Sequence, residues 1–360
     1  MWTRHADDTV VDATGKIIYF GLQRFLDDIC LGDCCFICGA RPGEKPFNNE
    51  HVFPEWLLRR LDLFDKSITL FNKATVRYDR FTVPCCTECN TLMGDEVETP
   101  VSQAVGAGLD GLVKLLKGHP LALAVWMRLI FIKTHLKDRT MRFHLDARKG
   151  QQKIGDFYQW EQLHYTHTFA RCFYAGYEVH RDNFGGTLVL PVKPTFSAHH
   201  RFDFADNFIG QTMLLRLDDV GLLAVFDDCG GVLGLMERQL QRITGPVSEP
   251  QFRELFVEMT WLNMHLKDRP VFNIEIDPAI EMCRLTSDLP PKPELIELDY
   301  GLRGRLYEHA LGGLFSYDEE TMAAIKAGKF TLLFDRDGKF IDHAEEAAQY
   351  AAIRNTETKT

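Results

Sequence analysis

The sequence predicts an α+β fold in two parts: an N-terminal domain over residues 1–100 and a larger α+β domain over residues 101–360. Length is the first observation, because 360 residues exceed the usual size of a single domain. The second is that segments whose apolar residues have helical spacing alternate along the chain with short segments whose pattern is typical of β-strands. The third is a concentration of cysteines before residue 100. Pro100 marks the expected boundary between the two domains.

Six of the ten cysteines fall in two short segments, and they are Cys34, Cys35, Cys38, Cys85, Cys86 and Cys89. Each segment contains a Cys-x-x-Cys pair, whose two-residue spacer directs both sulfurs toward one point. The spacing therefore predicts one tetrahedral structural zinc, with the ligands Cys35, Cys38, Cys86 and Cys89. Clustered thiolates favour zinc over disulfides, and hence a reducing compartment.

The ends and apolar runs of the chain predict a cytoplasmic protein. The N-terminus is polar and acidic and lacks the apolar core of a signal peptide. The most apolar run, 121–132, is interrupted by Arg128 and is too short to span a bilayer. We therefore expect no association with a membrane.

The segments around the two cysteine pairs carry further polar residues in a characteristic order. They are Glu50, His51 and Pro54 after the first pair, and Asn90, Gly94 and Glu98 after the second. This order resembles that of the HNH endonucleases, members of the His-Me finger (ββα-metal) superfamily, in the subtype whose finger carries a four-cysteine zinc. The resemblance covers about the first hundred residues.

The resemblance implies an N-terminal ββα finger that hydrolyses DNA with the help of a divalent metal. It implies that His51 acts as the general base on a water, and that Glu50 and Asn90 hold Mg²⁺ or Mn²⁺. Oxygen ligands suit these cations, whereas four thiolates suit zinc, so two metals with separate roles are expected. HNH proteins with large extra domains are often restriction, phage-defence or mobile-element enzymes.

The sequence departs from the family pattern at one position. Many members carry a middle asparagine that orients the histidine, and here that position is Phe81. Asp79 or a backbone carbonyl could orient His51 instead, because the imidazole needs an acceptor for its second nitrogen. Glu98 is either a further carboxylate of the metal site or a helix salt-bridge partner.

Charge gives mixed support to a nucleic-acid partner. The chain has a net charge of −10, and residues 1–100 hold 11 Lys and Arg against 16 Asp and Glu. Basic residues nevertheless gather between the cysteine pairs: Arg41, Lys45, Arg59, Arg60, Lys73, Arg77 and Arg80. We expect Arg59, Arg77 and Arg80 to bind substrate; the alternative is that the strip is an ordinary solvated surface.

Hydrophobic patterning predicts the main elements in order. Helices are expected at 16–30, 55–64, 90–97 and 121–136, the last apolar nearly all round and therefore buried. A strand at 75–83 leads to the second cysteine pair. Two apolar runs at 213–217 and 221–227, separated by a turn, predict a hairpin.

Two other functions remain open beside DNA cleavage. One is a zinc-stabilised nucleic-acid-binding or adaptor protein without cleavage activity, and the other is a scaffold whose finger docks a protein. Three roles are open for the C-terminal domain: substrate recognition, signal sensing, and assembly with a second copy or another protein. His164 and His167 on an aromatic-rich helix, and the pair His199-His200, are ligand-site candidates whose simpler interpretation is core packing or surface.

Overall fold

The computed structural model describes residues 1–70, 72–193, 201–312 and 318–343, and over these ranges the protein is a mixed α and β fold, as predicted. It forms two compact units: one of Met1–Ala107, Lys114–Phe184 and Val271–Asp288, the other of Gly108–Val113, Gly185–Pro270 and the described residues from Leu289 onward. Residue 100, the expected boundary, lies within a helix of the first unit. His199 and His200 lie outside the described residues.

The strands are, in chain order, β1 (Thr3–Arg4), β2 (Val10–Val11), β3 (Ile17–Tyr19), β4 (Phe47–His51), β5 (Ser67–Thr69), β6 (Thr75–Arg77), β7 (Thr82–Cys86), β8 (Glu178–Val179), β9 (Gly186–Lys193), β10 (Phe202–Asn207), β11 (Thr212–Leu217), β12 (Val220–Val225), β13 (Val247–Ser248), β14 (Val271–Asp277) and β15 (Met282–Asp288).

The α-helices are α1 (Leu22–Arg24), α2 (Glu55–Arg60), α3 (Thr87–Met93), α4 (Thr99–Gly106), α5 (Gly108–Gly118), α6 (Pro120–Asp138), α7 (His164–Ala170), α8 (Cys172–Ala175), α9 (Gly231–Leu240), α10 (Glu249–Met264), α11 (Tyr300–Leu311) and α12 (Glu319–Lys326). Turns of π-helix at Phe25–Cys30 and Gly94–Glu98 extend α1 and α3.

The first unit contains a strand pair that leads directly into a helix. β4 and β7 are antiparallel, with Phe47 opposite Cys86 and His51 opposite Thr82. α3 begins immediately after β7, and Cys86 is its N-cap. The chain between the two strands holds α2 and the β5–β6 hairpin. The local order is therefore β-β-α, with a helix inserted between the strands.

α6 is buried over nearly its whole length, which confirms the prediction for 121–136. Two cations lie inside this apolar helix, Arg128 at 1% exposure and Lys133 at 2%. Arg128 donates hydrogen bonds to the carbonyls of Asn183 at 3.3 Å and Phe184 at 3.1 Å. Because a buried cation is costly without such acceptors, each of these side chains fixes the backbone that it contacts.

The helix predicted over 16–30 is wrong in its first part. Residues Ile17–Tyr19 form β3, which pairs with β2, and the helix begins only at Leu22. Gly21 lies at the break, where an added Cβ would lie 1.8 Å from the backbone oxygen of Asp7. The close approach of these two backbones, which helical periodicity does not reveal, ends the strand and starts the helix.

The second unit is built on a five-stranded sheet with the order β10-β11-β12-β9-β13. β11 and β12 form the predicted hairpin, with Leu217 opposite Val220, and both strands are buried throughout. α10 starts with a capping box between Ser248 and Gln251. Its apolar side chains, Phe252 among them, join the core under the sheet.

No single helix in the described ranges is long and apolar enough to cross a bilayer. α5 and α6 reach that length and hydropathy only when taken together, and a bend of 108° separates them.

Glu254 on α10 makes the stability of the second unit depend on pH. Its carboxyl accepts hydrogen bonds from Thr331 Oγ1 and Leu332 N, and burial raises its pKa to about 7. The folded protein keeps a proton that the unfolded chain releases near pH 4.5, so stability falls as pH rises between these values. When the pH is raised from about 5.5 to 8, the unfolding free energy of wild type should fall. We expect this fall to be about 2 kcal/mol larger than that of Glu254→Gln.

Chemical denaturation at the two pH values measures this difference. Glu237→Gln, which changes an exposed carboxyl on α9 of the same unit, serves as the control and should follow wild type. An equal pH dependence in wild type and Glu254→Gln would contradict the expectation.

Candidate functional site

Four buried cysteines from the two predicted pairs converge in the first unit. The Sγ atoms of Cys35, Cys38, Cys86 and Cys89 all lie within 4.8 Å of one another. The first two precede β4, the third ends β7, and the fourth lies in the first turn of α3. The structure therefore brings together all four predicted ligands, in a cluster that could hold a metal ion such as zinc.

Backbone geometry around the cysteines is suited to thiolates. The amide of Ala40 donates to Cys38 Sγ, and the amide of Cys89 donates to Cys86 Sγ, both at 3.5 Å. The first turn closes through Gly39, whose φ of +75° is left-handed and whose added Cβ would lie 2.6 Å from the Phe20 ring. Only glycine fits this turn without strain, and the turn directs the sulfurs of Cys35 and Cys38 toward the cluster.

The crowding of the sulfurs disfavours the ionisation of all four thiols together. Hydrogen bonds from neighbouring thiols, that of Cys38 first, lower the pKa of Cys35. The same contact raises the pKa of Cys38 to about 12. One thiolate is thus stabilised at the expense of the next, and ionisation of all four requires a positive charge among them.

A helix from later in the chain holds the first cysteine pair in place. His167 Nε2 on α7 donates to the Phe36 carbonyl at 2.6 Å. Arg171, fully buried after α7, donates to the carbonyls of Ile37 and, at 3.1 Å, Ile18. Phe36 and Ile37 are the two residues between Cys35 and Cys38 in the sequence, so these bonds fix the loop that carries the sulfurs.

His164 and His167 are therefore used in packing rather than as a separate ligand site. His164 Nε2 donates to the Phe20 carbonyl at 2.8 Å, and both rings pack against Phe25. Burial is the main cause that lowers the pKa of each imidazole. The simpler interpretation of these two histidines agrees with their contacts.

Glu50 and His51 occupy the last two positions of β4, next to a buried lysine. Lys133 Nζ on α6 donates to Glu50 Oε1 at 2.8 Å and to the His51 carbonyl at 2.7 Å. The side chains of Lys133 and Glu50 are 2% and 13% exposed. The ion pair is thus largely withdrawn from water and ties the end of β4 to the central helix of the unit.

Glu98 is a second carboxyl beside the same lysine. Burial raises the pKa of Glu98 to about 7, the charge of Lys133 opposes this rise, and the charge of Glu50 adds to it. Glu98 makes no ion pair with a described residue, so neither alternative for it, a further carboxylate of the metal site or a helix salt-bridge partner, is confirmed. Glu50, Glu98 and Lys133 form what we term the acid–lysine cluster.

The His51 ring packs against Phe64, and two arginines also contact Phe64. Its centroid is 6.5 Å from that of Phe64, in an edge contact. The Arg59 guanidinium lies 5.5 Å from the Phe64 ring centroid, and Arg77 Nη2 donates to the Phe64 carbonyl at 3.2 Å. Two of the three predicted substrate-binding arginines therefore gather at one neighbour of His51; Arg80 is exposed.

Two further sequence candidates have clear positions. Asn90 lies in α3, is half-buried, and its side chain makes no hydrogen bond with the described residues. Asp79 is paired with Arg77 at 2.8 Å. Phe81, at the position of the middle asparagine, is fully buried and stacks on Phe53 at 6.3 Å, so it serves the core.

Sequence reasoning missed Lys133. The available signal was a lysine directly after the apolar run 121–132, in a helix predicted to be buried on all faces. Such a lysine needs an acidic partner, but nothing in the local sequence identifies Glu50, which lies 83 positions away.

Comparisons with known proteins give no relative for this site. No protein family, no curated protein and no solved structure matches the chain.

Lys133→Met tests how much the acid–lysine cluster stabilises the first unit. The substitution leaves Glu50 and Glu98 close together without their cation. Because uncompensated buried charge is strongly destabilising, we expect the unfolding free energy to fall by about 3–5 kcal/mol. Chemical denaturation measures the change.

The double variant Lys133→Met/Glu50→Gln should recover part of the loss, since it removes one of the two acids. Arg148→Met is the control, because it breaks an exposed ion pair with Asp146 in the same unit and should leave the unfolding midpoint nearly unchanged. A Lys133→Met protein as stable as wild type would rule out the role assigned to the cluster.

Proposed function

We propose that this protein is an HNH-type endonuclease that hydrolyses phosphodiester bonds in DNA and carries a structural zinc. The observation that carries the proposal is the order β4–β7–α3, with the cysteine cluster where β7 meets α3. Glu50 and His51 end the first of these strands, and Asn90 lies in the helix. This order supports the resemblance found in the sequence.

Zinc is the proposed occupant of the cysteine cluster. Four thiolates and no other ligand make a closed tetrahedral site, which leaves no position for substrate. The zinc supplies the positive charge that the crowded sulfurs require, and it joins the segment before β4 to the start of α3. Its role is to hold the fold.

Mg²⁺ or Mn²⁺ is the second proposed metal, with Glu50 and Asn90 as its ligands. Lys133 uses Glu50 Oε1, and Oε2 makes no hydrogen bond with the described residues, nor does the Asn90 amide. Carboxylate and amide oxygens are the donors that these cations prefer, so the residues fit. When bound, the cation neutralises charge that builds on the phosphate. The nearby Lys133 ammonium opposes it, so we expect weak binding.

His51 is the proposed general base. Its imidazole takes a proton from a water whose oxygen forms a bond to phosphorus; the bond from phosphorus to the leaving oxygen breaks, and that oxygen takes a proton from solvent. Neither ring nitrogen of His51 is hydrogen-bonded to a described residue, while the backbone carbonyl is held by Lys133. The strand end is thereby fixed and the imidazole is left for water and substrate.

Arg59 and Arg77 are the proposed contacts to the DNA backbone near His51. Their side chains are 71% and 48% exposed, although each also pairs with an acid of its own segment, Glu55 and Asp79. Arginine matches the geometry of phosphate oxygens, and such contacts give binding that weakens with salt. Arg80 is the third proposed contact, on its exposure alone.

One observation favours a second function, a zinc-stabilised nucleic-acid-binding or adaptor protein that does not cleave. The Glu50 carboxylate already has a buried cationic partner in Lys133. If that pairing excludes the divalent metal, Asn90 and His51 remain without a reaction to perform. This function predicts DNA binding without metal-dependent cleavage.

His51→Ala tests the nuclease proposal. Because loss of a general base costs about 10²–10⁴-fold in rate, we expect plasmid nicking in Mg²⁺ or Mn²⁺ to fall by about that factor. Initial rates on supercoiled plasmid, with and without EDTA, measure the change.

His5→Ala removes an exposed imidazole from the same unit and should cleave like wild type. Equal rates for His51→Ala and wild type would refute His51 as the base. Tight DNA binding by wild type without nicking in either metal would favour the adaptor function.

A further inference from the structure

A cleft of about 230 Å³ opens beside the β4–β7 pair in the first unit. Its walls come from the strand pair, from the chain around Asp33 and Cys34, and from the end of α6 with the residues after it. The cleft is smaller than usual pockets for whole small molecules, so it suits a group the size of a phosphate and its sugar. Nothing in the site described so far uses it.

The cleft reaches the immediate neighbourhood of His51. Thr82 lines the cleft and lies directly opposite His51 in the β4–β7 register. Side chains directly opposite in an antiparallel pair point to the same face and lie about 5 Å apart at Cβ. A group bound in the cleft would therefore lie next to a substrate group that contacts His51.

Two cations line the cleft, and only one of them has a carboxylate partner. Arg139 donates to the carbonyls of Ile29 and Cys30 and, at 3.3 Å, to Asp33, which is 85% exposed. Lys137 is half-buried and makes no ion pair with the described residues. The surplus positive charge contrasts with the net −10 of the chain and favours an anion in the cleft.

The remaining polar lining can complete the binding of such an anion. Asn49 contributes an exposed amide from β4, and Thr82 contributes a hydroxyl from β7. Both are neutral donors of the kind that bind phosphate oxygens together with a lysine. The position of Asn49, two residues before His51 and on the same face of β4, brings the donor and the base to one side of the strand.

We propose that this cleft binds a backbone phosphate of the DNA strand adjacent to the phosphodiester that is attacked by the water activated by His51, with Lys137 as its cationic contact. The assignment rests on the proposed nuclease function and adds a substrate subsite to it. Arg59 and Arg77 contact the strand from the Phe64 side of His51, and Lys137 contacts it from the Thr82 side.

Lys137→Gln tests the subsite through binding, without need of cleavage. Fluorescence anisotropy with a short labelled DNA duplex, without added Mg²⁺ or Mn²⁺, gives the dissociation constant as a function of salt. We expect the dissociation constant at low salt to rise about fivefold, and the slope of log affinity against log salt to become shallower by about 1, as loss of one phosphate contact predicts. Lys137→Arg, which keeps the charge, should restore most of both.

Lys117→Gln is the matched control, because Lys117 is an exposed lysine of α5, just before the start of α6, and Lys137 lies about 25 Å along α6 from that start by the rise of the helix. It should bind like wild type. If Lys137→Gln matches Lys117→Gln while wild type binds and cleaves DNA, the subsite is wrong and the nuclease proposal stands. If wild type neither binds nor cleaves DNA, both are wrong. A mononucleotide that competes as well as DNA at equal phosphate concentration would overturn the assignment to a strand.

Discussion

The convergence of four thiols is the constraint on which the first unit depends. Cys35 and Cys38 come from a loop, whereas Cys86 and Cys89 span the joint between β7 and α3. Closing this long segment costs chain entropy, and the proposed zinc, if held by all four sulfurs, would offset that cost because its binding free energy would become folding free energy. β7 leads from Thr82, which lies opposite His51, to Cys86 at this joint.

Two buried cations, Arg171 and Lys133, hold the backbone segments around the cysteine cluster and the strand pair. Arg171 has carbonyl oxygens and aromatic rings as partners and no carboxylate among the described residues, and it holds the loop that carries Cys35 and Cys38. With the proposed zinc and four thiolates the cluster would have a net charge of about −2, half of which a buried guanidinium nearby would offset. At the end of β4, Lys133 ties the strand to α6. Arg171 thus connects the cysteine loop, and Lys133 the strand end, to a segment from later in the chain.

The sequence was sufficient for features that depend on local spacing. The two Cys-x-x-Cys pairs predicted which four sulfurs meet, and the apolar run at 121–136 predicted a buried helix. The acid–lysine cluster and the cleft at Lys137 could not be predicted, because each joins residues far apart through packing of α6 against the strand pair. The strand at Ile17–Tyr19 was missed for a similar reason, since a backbone contact with Asp7 overrides the helical pattern.

X-ray absorption at the zinc edge of the purified protein, together with elemental analysis, tests whether the four cysteines hold zinc. We predict one zinc per chain, surrounded by four sulfurs at about 2.3 Å, and Cys89→Ser should lose it while Cys34→Ser keeps it. Nitrogen or oxygen ligands in the first shell, or a folded protein that binds no zinc, would contradict the thiolate joint on which the positions of Glu50, His51 and Asn90 depend.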